Sequence, residues 1–276
     1  MQLLLDIDSQ DTLSSLGKWS LERDDSGPMR VYRDEEGNPY YSVTTVLQHT
    51  ASVAKQAALT KWLKKPGSES ARELAASRGT AVHEHCEYVI KTAAKLVRNT
   101  ANKRNGWKIY DDGLYRATKQ VTTWALQKAI TNAPKPHWAI REYTRNISPF
   151  IEDIAAIHAS EFSVCHSGGW AGTADALIDY GEKTGKTCIV DFKTTGGEKD
   201  KPEEYLTDYL CQLGAYSEAL YEKMGFRPFM GAIVIARPNG LQIREVTTME
   251  LIGAGQLFKE RMKLFHAKLE KGELTE

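Results

Sequence analysis

The spacing of apolar residues changes period twice along the chain, and the changes mark out its elements. Val82, Cys86, Val89, Ile90, Ala93 and Val97 recur at intervals of three and four, the signature of one face of an α-helix, here expected over about 69–99. Upstream, residues 1–28 are weakly patterned and polar. A hairpin is then expected from Met29–Arg33 and Pro39–Ser42 around the turn Asp34–Asn38, followed by short helices at about 43–49 and 52–64 ending near Pro66-Gly67. A further helix over about 115–132 has to stop before Pro134 and Pro136. After that the period shortens. His158–Cys165, Ala171–Tyr180 and Thr187–Lys193 read as strands separated by glycine-rich turns, the second around Gly181–Gly185. A helix over about 203–224 ends at Gly225 with Pro228 beyond. Phe229–Arg237 and Leu241–Thr247 form a second strand pair around Pro238-Asn239-Gly240, and an amphipathic helix over about 249–272 closes the chain. The order predicts an α/β domain over 67–276, with a hairpin and short helices as an N-terminal elaboration over 1–66.

Composition narrows this only a little. A chain of 276 residues is long enough to bury one large core. No run approaches the roughly 18 apolar residues of a membrane span. The N-terminus turns acidic at Asp6 and Asp8 without a basic segment, so neither a secretory signal nor an organelle presequence is expected. A cytoplasmic protein without a membrane partner is the simplest expectation. The 36 basic and 36 acidic residues cancel, so any surface for nucleic acid has to be local. Cys86, Cys165, Cys188 and Cys211 stand far apart with no CxxC pair, which argues against a zinc ribbon and for buried free thiols.

Candidate chemistry concentrates in the strand region. Gly172-Thr173-Ala174-Asp175 lies on one expected strand and Asp191-Phe192-Lys193 on the next. Alternation puts Asp191 and Lys193 on one face and Cys188, Val190 and Phe192 on the other. A D-x-K triplet is common by chance. What gives this one weight is the hairpin, which brings Asp175 toward Asp191, because two adjacent carboxylates repel each other unless a cation sits between them. Oxygen ligands favour Mg²⁺. A neighbouring lysine can orient or help deprotonate the attacking water, or stabilise charge on the reacting phosphate. In side-chain terms this is metal-assisted phosphodiester hydrolysis.

Other residues admit two readings. On the long helix, His83 and Glu87 stack one turn apart in Arg78-Gly79-Thr80-Ala81-Val82-His83-Glu84-His85-Cys86-Glu87. The run lacks the second histidine of HExxH, which excludes a zincin protease, and leaves His83 as a polar flank residue or a ligand. Tyr205, Tyr209, Gln212 and Tyr216 share a helical face, either a half-buried boundary or a stacking surface for a single strand. Glu161, isolated among Phe162 and Val164, either supports a ligand or pairs with a base. Lys91, Lys95, Arg98, Lys103, Arg104 and Lys108 follow without an acid, with Trp107 and Tyr110 at the end, either a solvated face or a track for phosphates.

Taken in order, G-T-x-x-H-x-x-x-E, E, G-T-A-D, D-x-K and Q-x-x-x-Y resemble the RecB-like branch of the PD-(D/E)XK nuclease superfamily. Ser42-Val43-Thr44-Thr45-Val46-Leu47-Gln48 and Leu59-Thr60-Lys61-Trp62 extend the likeness toward mitochondrial genome maintenance exonuclease and its phage and bacterial relatives. The resemblance covers about 40–240. It implies a mixed central sheet flanked by helices and Mg²⁺- or Mn²⁺-dependent cleavage of DNA, expected to be single-stranded. By motif match, His83, Asp175, Asp191 and the Phe192 carbonyl would hold the metal, with Lys193 catalytic beside Asp175, Asp191 and Glu161. Gln212, Tyr216, Tyr209, Arg78, Thr80 and Ser42 would face or position the substrate. Glu87 and Glu161 match family acids whose role the motifs do not fix. No cysteine follows Cys211, so the iron–sulfur cluster of some relatives is not expected. No helicase domain is evident, so coupling to unwinding would come from a helicase, polymerase or recombinase partner. Lack of an import sequence favours a phage or bacterial nuclease of replication, recombination or repair. A structure-specific or restriction-like endonuclease and an inactive DNA-end-binding module are the competing readings.

Overall fold

The computed structural model describes residues 20–104, 107–109, 115–181 and 186–274, with the backbone alone described within 101–116. An eight-stranded mixed sheet divides the described residues into two helical layers. Its strands are β1 (Glu22–Asp24), β2 (Val31–Arg33), β3 (Pro39–Ser42), β6 (Ile154–His166), β7 (Trp170–Tyr180), β8 (Thr187–Thr194), β9 (Met230–Arg237) and β10 (Gly240–Thr247). A separate two-stranded sheet pairs β4 (Trp107–Ile109) with β5 (Tyr115–Ala117). The helices are α1 (Val43–His49), α2 (Val53–Leu63), α3 (Ser68–Arg104), α4 (Lys119–Asn132), α5 (Arg141–Glu152), α6 (Thr207–Met224) and α7 (Thr248–Glu270).

Alternation along the strands sorts the core. Cys188, Val190 and Phe192 of β8 pack with the α3, α4 and α5 layer, joined by Val82, Cys86, Val89, Ile90 and Ala93 from the α3 stripe. Ile189 of the same strand faces the opposite layer, with Val43 of α1, Leu213 of α6 and Phe258 of α7. All four cysteines are buried and free. Helix ends follow local rules: Gly225 closes α6 at φ 63°, a left-handed conformation that suits glycine. Thr247 and Glu250 form a reciprocal capping box at the start of α7. Among the described residues, no helix is long and apolar enough to cross a membrane.

The expected elements are present, with differences at three places. The helix expected from 115 begins at Lys119, because 115–117 pairs as β5. Helix α5 was not among the expected elements; Tyr143, Ile147, Phe150 and Ile151 give it a buried face, and it carries Pro149 inside it. Strand β1 was also unread: it is short and polar, and pairs with β2 from Glu22↔Arg33 to Asp24↔Val31. Residues 1–19, Tyr110 and the turn residues 182–185 lie outside the described residues, as do the side chains of Lys103, Arg104, Trp107 and Lys108.

One topological detail positions the site. β7 pairs with β6 along its length, while its other edge is shared between two strands. β3 takes the first end in parallel (Tyr41↔Trp170, Ser42↔Ala171), and β8 takes the last in antiparallel fashion (Ala176↔Val190 to Asp179↔Thr187). Residues 172–175 have no strand partner on that edge, so the sheet forks there. The inside–outside alternation slips at the same point: Ala176 and Ile178 face the α3 layer, yet Ala174 packs in the α6 layer.

Candidate active site

Asp175 sits at the crotch of the fork, one step beyond the last β7–β8 pair, where Asp191 would be its register partner. Its Oδ2 accepts the Phe192 backbone N–H at 2.6 Å, which ties the two strands together where the ladder ends. Oδ1 lies 3.5 Å from Nδ1 of His83 on α3. Glu161 stands in the register position facing Asp175 on β6, with a φ of 49°. That left-handed backbone is uncommon for a side-chain-bearing residue, and such strain tends to persist at functional sites. Ligand atoms of His83, Glu161 and Asp175 all fall within 4.8 Å of one another.

Asp191 forms the other half. It is 2% exposed, and its Oδ1 accepts from Lys193 Nζ at 2.6 Å and Gln212 Nε2 at 2.8 Å. Its Oδ2 is buried and has no hydrogen-bond partner among the described residues. A buried carboxylate oxygen without a donor is costly, and a cation is the simplest group to satisfy it. Gln212 also reaches the Tyr216 hydroxyl at 3.2 Å. The Tyr216 ring lies against Gly172, where a Cβ would come within 2.6 Å of it. The glycine of G-T-A-D thus makes room for the tyrosine of Q-x-x-x-Y.

The electrostatics match a site built for a cation. Burial, then the charges of Asp175 and Glu87, push the Glu161 carboxyl up to about 7. Burial also raises Asp191, against the pull of Lys193. Burial works against the charged forms of Lys193 and His83, yet the neighbouring carboxylates outweigh it and hold both above their ordinary values. Tyr216 is raised well above the usual phenol range by burial, so it stays a neutral hydroxyl. In the metal-free protein, Glu161 therefore keeps a proton that the unfolded chain has already lost. Stability in EDTA is expected to fall as pH rises from about 4.5 through about 7, because the folded state binds more protons over that window. A divalent ion replaces that proton, so the gain in melting temperature on adding Mg²⁺ should be larger at about pH 8 than at about pH 5. Thermal melts with EDTA and with Mg²⁺ at both pH values check this; a gain independent of pH would count against a metal at Glu161.

Around these groups lies a cleft of about 460 Å³, lined by Ser42, Thr80, His83, Glu161, Asp175 and Lys193 among others. Ser42 stands at the N-cap position of α1 and its hydroxyl bonds Thr44 Oγ1 at 2.8 Å rather than a backbone N–H. Glu87 also lines the cleft and pairs with Lys91 at 2.5 Å. Tyr209 lies beside the cleft with its ring centroid 5.3 Å from Lys193 Nζ. Arg78 sits apart: its guanidinium covers the Tyr143 ring at 5.2 Å, and its Nε reaches Thr194 Oγ1 at 3.4 Å. The Phe192 side chain backs the site from the core, edge-on to His83 and to Phe150. Asp191 lies outside the three-residue cluster in which Glu161 takes part.

Several cleft residues had no signal in the sequence. Arg23, Arg30 and Tyr32 come from the weakly patterned N-terminal strands, and both arginines share Asp25. Thr173 also lines the cleft, within 3.4 Å of the Tyr32 hydroxyl.

The PD-(D/E)XK nuclease superfamily model matches residues 48–262, most of the chain, including β7 and β8 of the fork but not β3. The chain belongs to the PD-(D/E)XK nuclease superfamily. PD-(D/E)XK nucleases use divalent metals, and the donor set of histidine, carboxylates and an orphaned carboxylate oxygen fits such an ion. No curated protein matches significantly. One similar solved structure is titled "Crystal structure of SSO0001", at 19% identity over 36% of this chain with a TM-score of 0.24. The match spans 48% of that chain, about half its length, and carries no argument about this nuclease.

Proposed function

We propose that this nuclease is an exonuclease of the RecB-like branch that trims single-stranded DNA ends with Mg²⁺ or Mn²⁺, in replication, recombination or repair of a bacterium or phage. The observation that carries the reading is the orphaned Oδ2 of buried Asp191, across the fork from His83, Glu161 and Asp175. The residues that would hold the ion are His83, Asp175 and Asp191, with the Phe192 carbonyl and Glu161 completing the set. When bound, the ion supplies positive charge that favours a deprotonated water and neutralises the phosphate.

The remaining work falls to side chains. Lys193 keeps its proton, because Asp191 and Asp175 favour the ammonium; that supports a role in stabilising charge on phosphate oxygens rather than in taking a proton. Glu161, which gives up its proton when the ion binds, would serve as an acidic ligand beside Asp175 and His83. Gln212 donates to Asp191 and to Tyr216, fixing the carboxylate while leaving Oδ2 free. The cleft has the size of a small-molecule site, which suits a strand end better than the broad face of a duplex.

Linear end-labelled and covalently circular single-stranded DNA, each incubated with the protein and Mg²⁺, test the polarity-independent part of this reading. The linear strand should shorten progressively while the circle survives. Cleaved circles would make the protein an endonuclease.

A further inference from the structure

Helix α2 stands out among the described helices for its exposure. Every one of its residues is exposed, including Val53 at 83%, Leu59 at 53% and Leu63 at 41%. An eleven-residue helix is marginal in water unless an apolar face is buried. Its ties to the rest of the protein include an ion pair from Lys55 to Asp208 at the start of α6, and Asp208 is held in turn by Arg261 of α7 at 3.0 Å. Between α2 and α6 runs a groove of about 510 Å³ lined by Leu47, Ala51, Leu59, Leu63 and Tyr209.

Two features say what fits there. The groove shares Thr44 and Gln212 with the catalytic cleft, so the two are continuous, and Tyr209 stands between the groove and Lys193. Its surroundings also carry an excess of positive charge: residues 51–67 carry Lys55, Lys61, Lys64 and Lys65 and no acid, and the groove itself is lined by Lys55, Arg72 and one acid, Asp208, which Lys55 and Arg261 already pair. A ligand with apolar flat faces strung on anionic linkages matches both features. Bases in a duplex are stacked and paired and cannot offer their faces, whereas those of a single strand can.

We infer that the groove beneath α2 is a nucleobase subsite, which takes unstacked bases of single-stranded DNA whose backbone continues into the cleft. The α2 lysines then face its phosphates, and the bound bases bury the face of α2 that the protein alone leaves uncovered. This rests on the nuclease reading of the cleft and deepens it, since it assigns the preference for single strands to particular residues.

Binding in EDTA tests the subsite without calling on catalysis. The probes are a labelled oligothymidylate of about 20 nucleotides and an abasic sugar–phosphate strand of equal length, at one salt concentration. Wild-type protein should bind the base-bearing strand roughly tenfold more tightly than the abasic one. Leu59→Ser combined with Leu63→Ser should bring the two probes to the same weak affinity, leaving abasic binding unchanged. Both leucines are exposed, and circular dichroism of the variant serves as the check on its folding. Equal affinity of the wild type for both probes overturns the inference, as does unchanged oligothymidylate binding by the variant. So does a dimer, seen by sedimentation, that the double substitution dissolves with no effect on DNA. Absence of cleavage in Mg²⁺ would instead strike at the nuclease reading and leave the binding result standing.

Discussion

Replacing Lys193 with alanine should lower kcat by about 10²–10⁴-fold while DNA binding persists, the range expected when a charge-stabilising or proton-handling group is removed. Lys193 Nζ is the only ammonium bonded to Asp191 among the described residues, at 2.6 Å, and its proton is held by two carboxylates. Its loss removes positive charge from the reacting region without touching His83, Glu161 or Asp175. Metal binding should survive or tighten, since the ammonium no longer competes with the ion for Asp191. Single-turnover cleavage and Mn²⁺ titration of the same variant separate these effects. Activity within tenfold of wild type would remove Lys193 from the chemistry, and lost metal binding would recast it as a structural support.

The largest effect on stability is expected at Gly214→Ala, on the helix that carries Gln212 and Tyr216. Helices α6 and α7 cross at Gly214 and Gly255 so closely that a Cβ on Gly214 would stand 2.3 Å from the Gly255 nitrogen and 2.6 Å from the Ala254 carbonyl carbon. Those are backbone atoms, so the helices themselves must part. Overpacking of this kind costs about 1–3 kcal/mol. In a chain of this size each kcal/mol lowers the melting temperature by roughly 2–4 °C. The displacement also draws Gln212 and Tyr216, on the same helix, away from Asp191, so kcat should fall with stability. Gly253→Ala on α7 is the contrast: its Cβ meets nothing within 4 Å, and a helix interior gains from alanine. Thermal melts that rank the two variants equally would show that the crossing tolerates separation.

Much of this arrangement was legible in the sequence because it is local. The alternation of Cys188, Val190 and Phe192 against Asp191 and Lys193 needs only a strand, and the α3 stripe needs only a helix. Gln212 and Tyr216 are one turn apart on α6, so their shared face also follows from spacing. What stayed hidden depends on distant segments or on backbone conformation. The fork exists because β3, from residue 39 onward, pairs with a strand beginning at Trp170, and no local pattern encodes that register. Glu161 looked like an isolated acid on a strand. Its left-handed backbone and its place opposite Asp175 put it in the cluster with His83, which spacing along β6 alone does not reveal. Arg23 and Arg30 reach the cleft through the same long-range pairing.

The central claim is that the forked sheet holds a divalent ion that cleaves DNA, and a Mg²⁺ titration of cleavage tests it most directly. With 5′-labelled single-stranded DNA, wild-type protein should show no cleavage in EDTA and a rate that saturates with Mg²⁺. Asp191→Asn should remain inactive across the titration. Cleavage that persists in EDTA, or an Asp191→Asn protein as active as wild type, would contradict it.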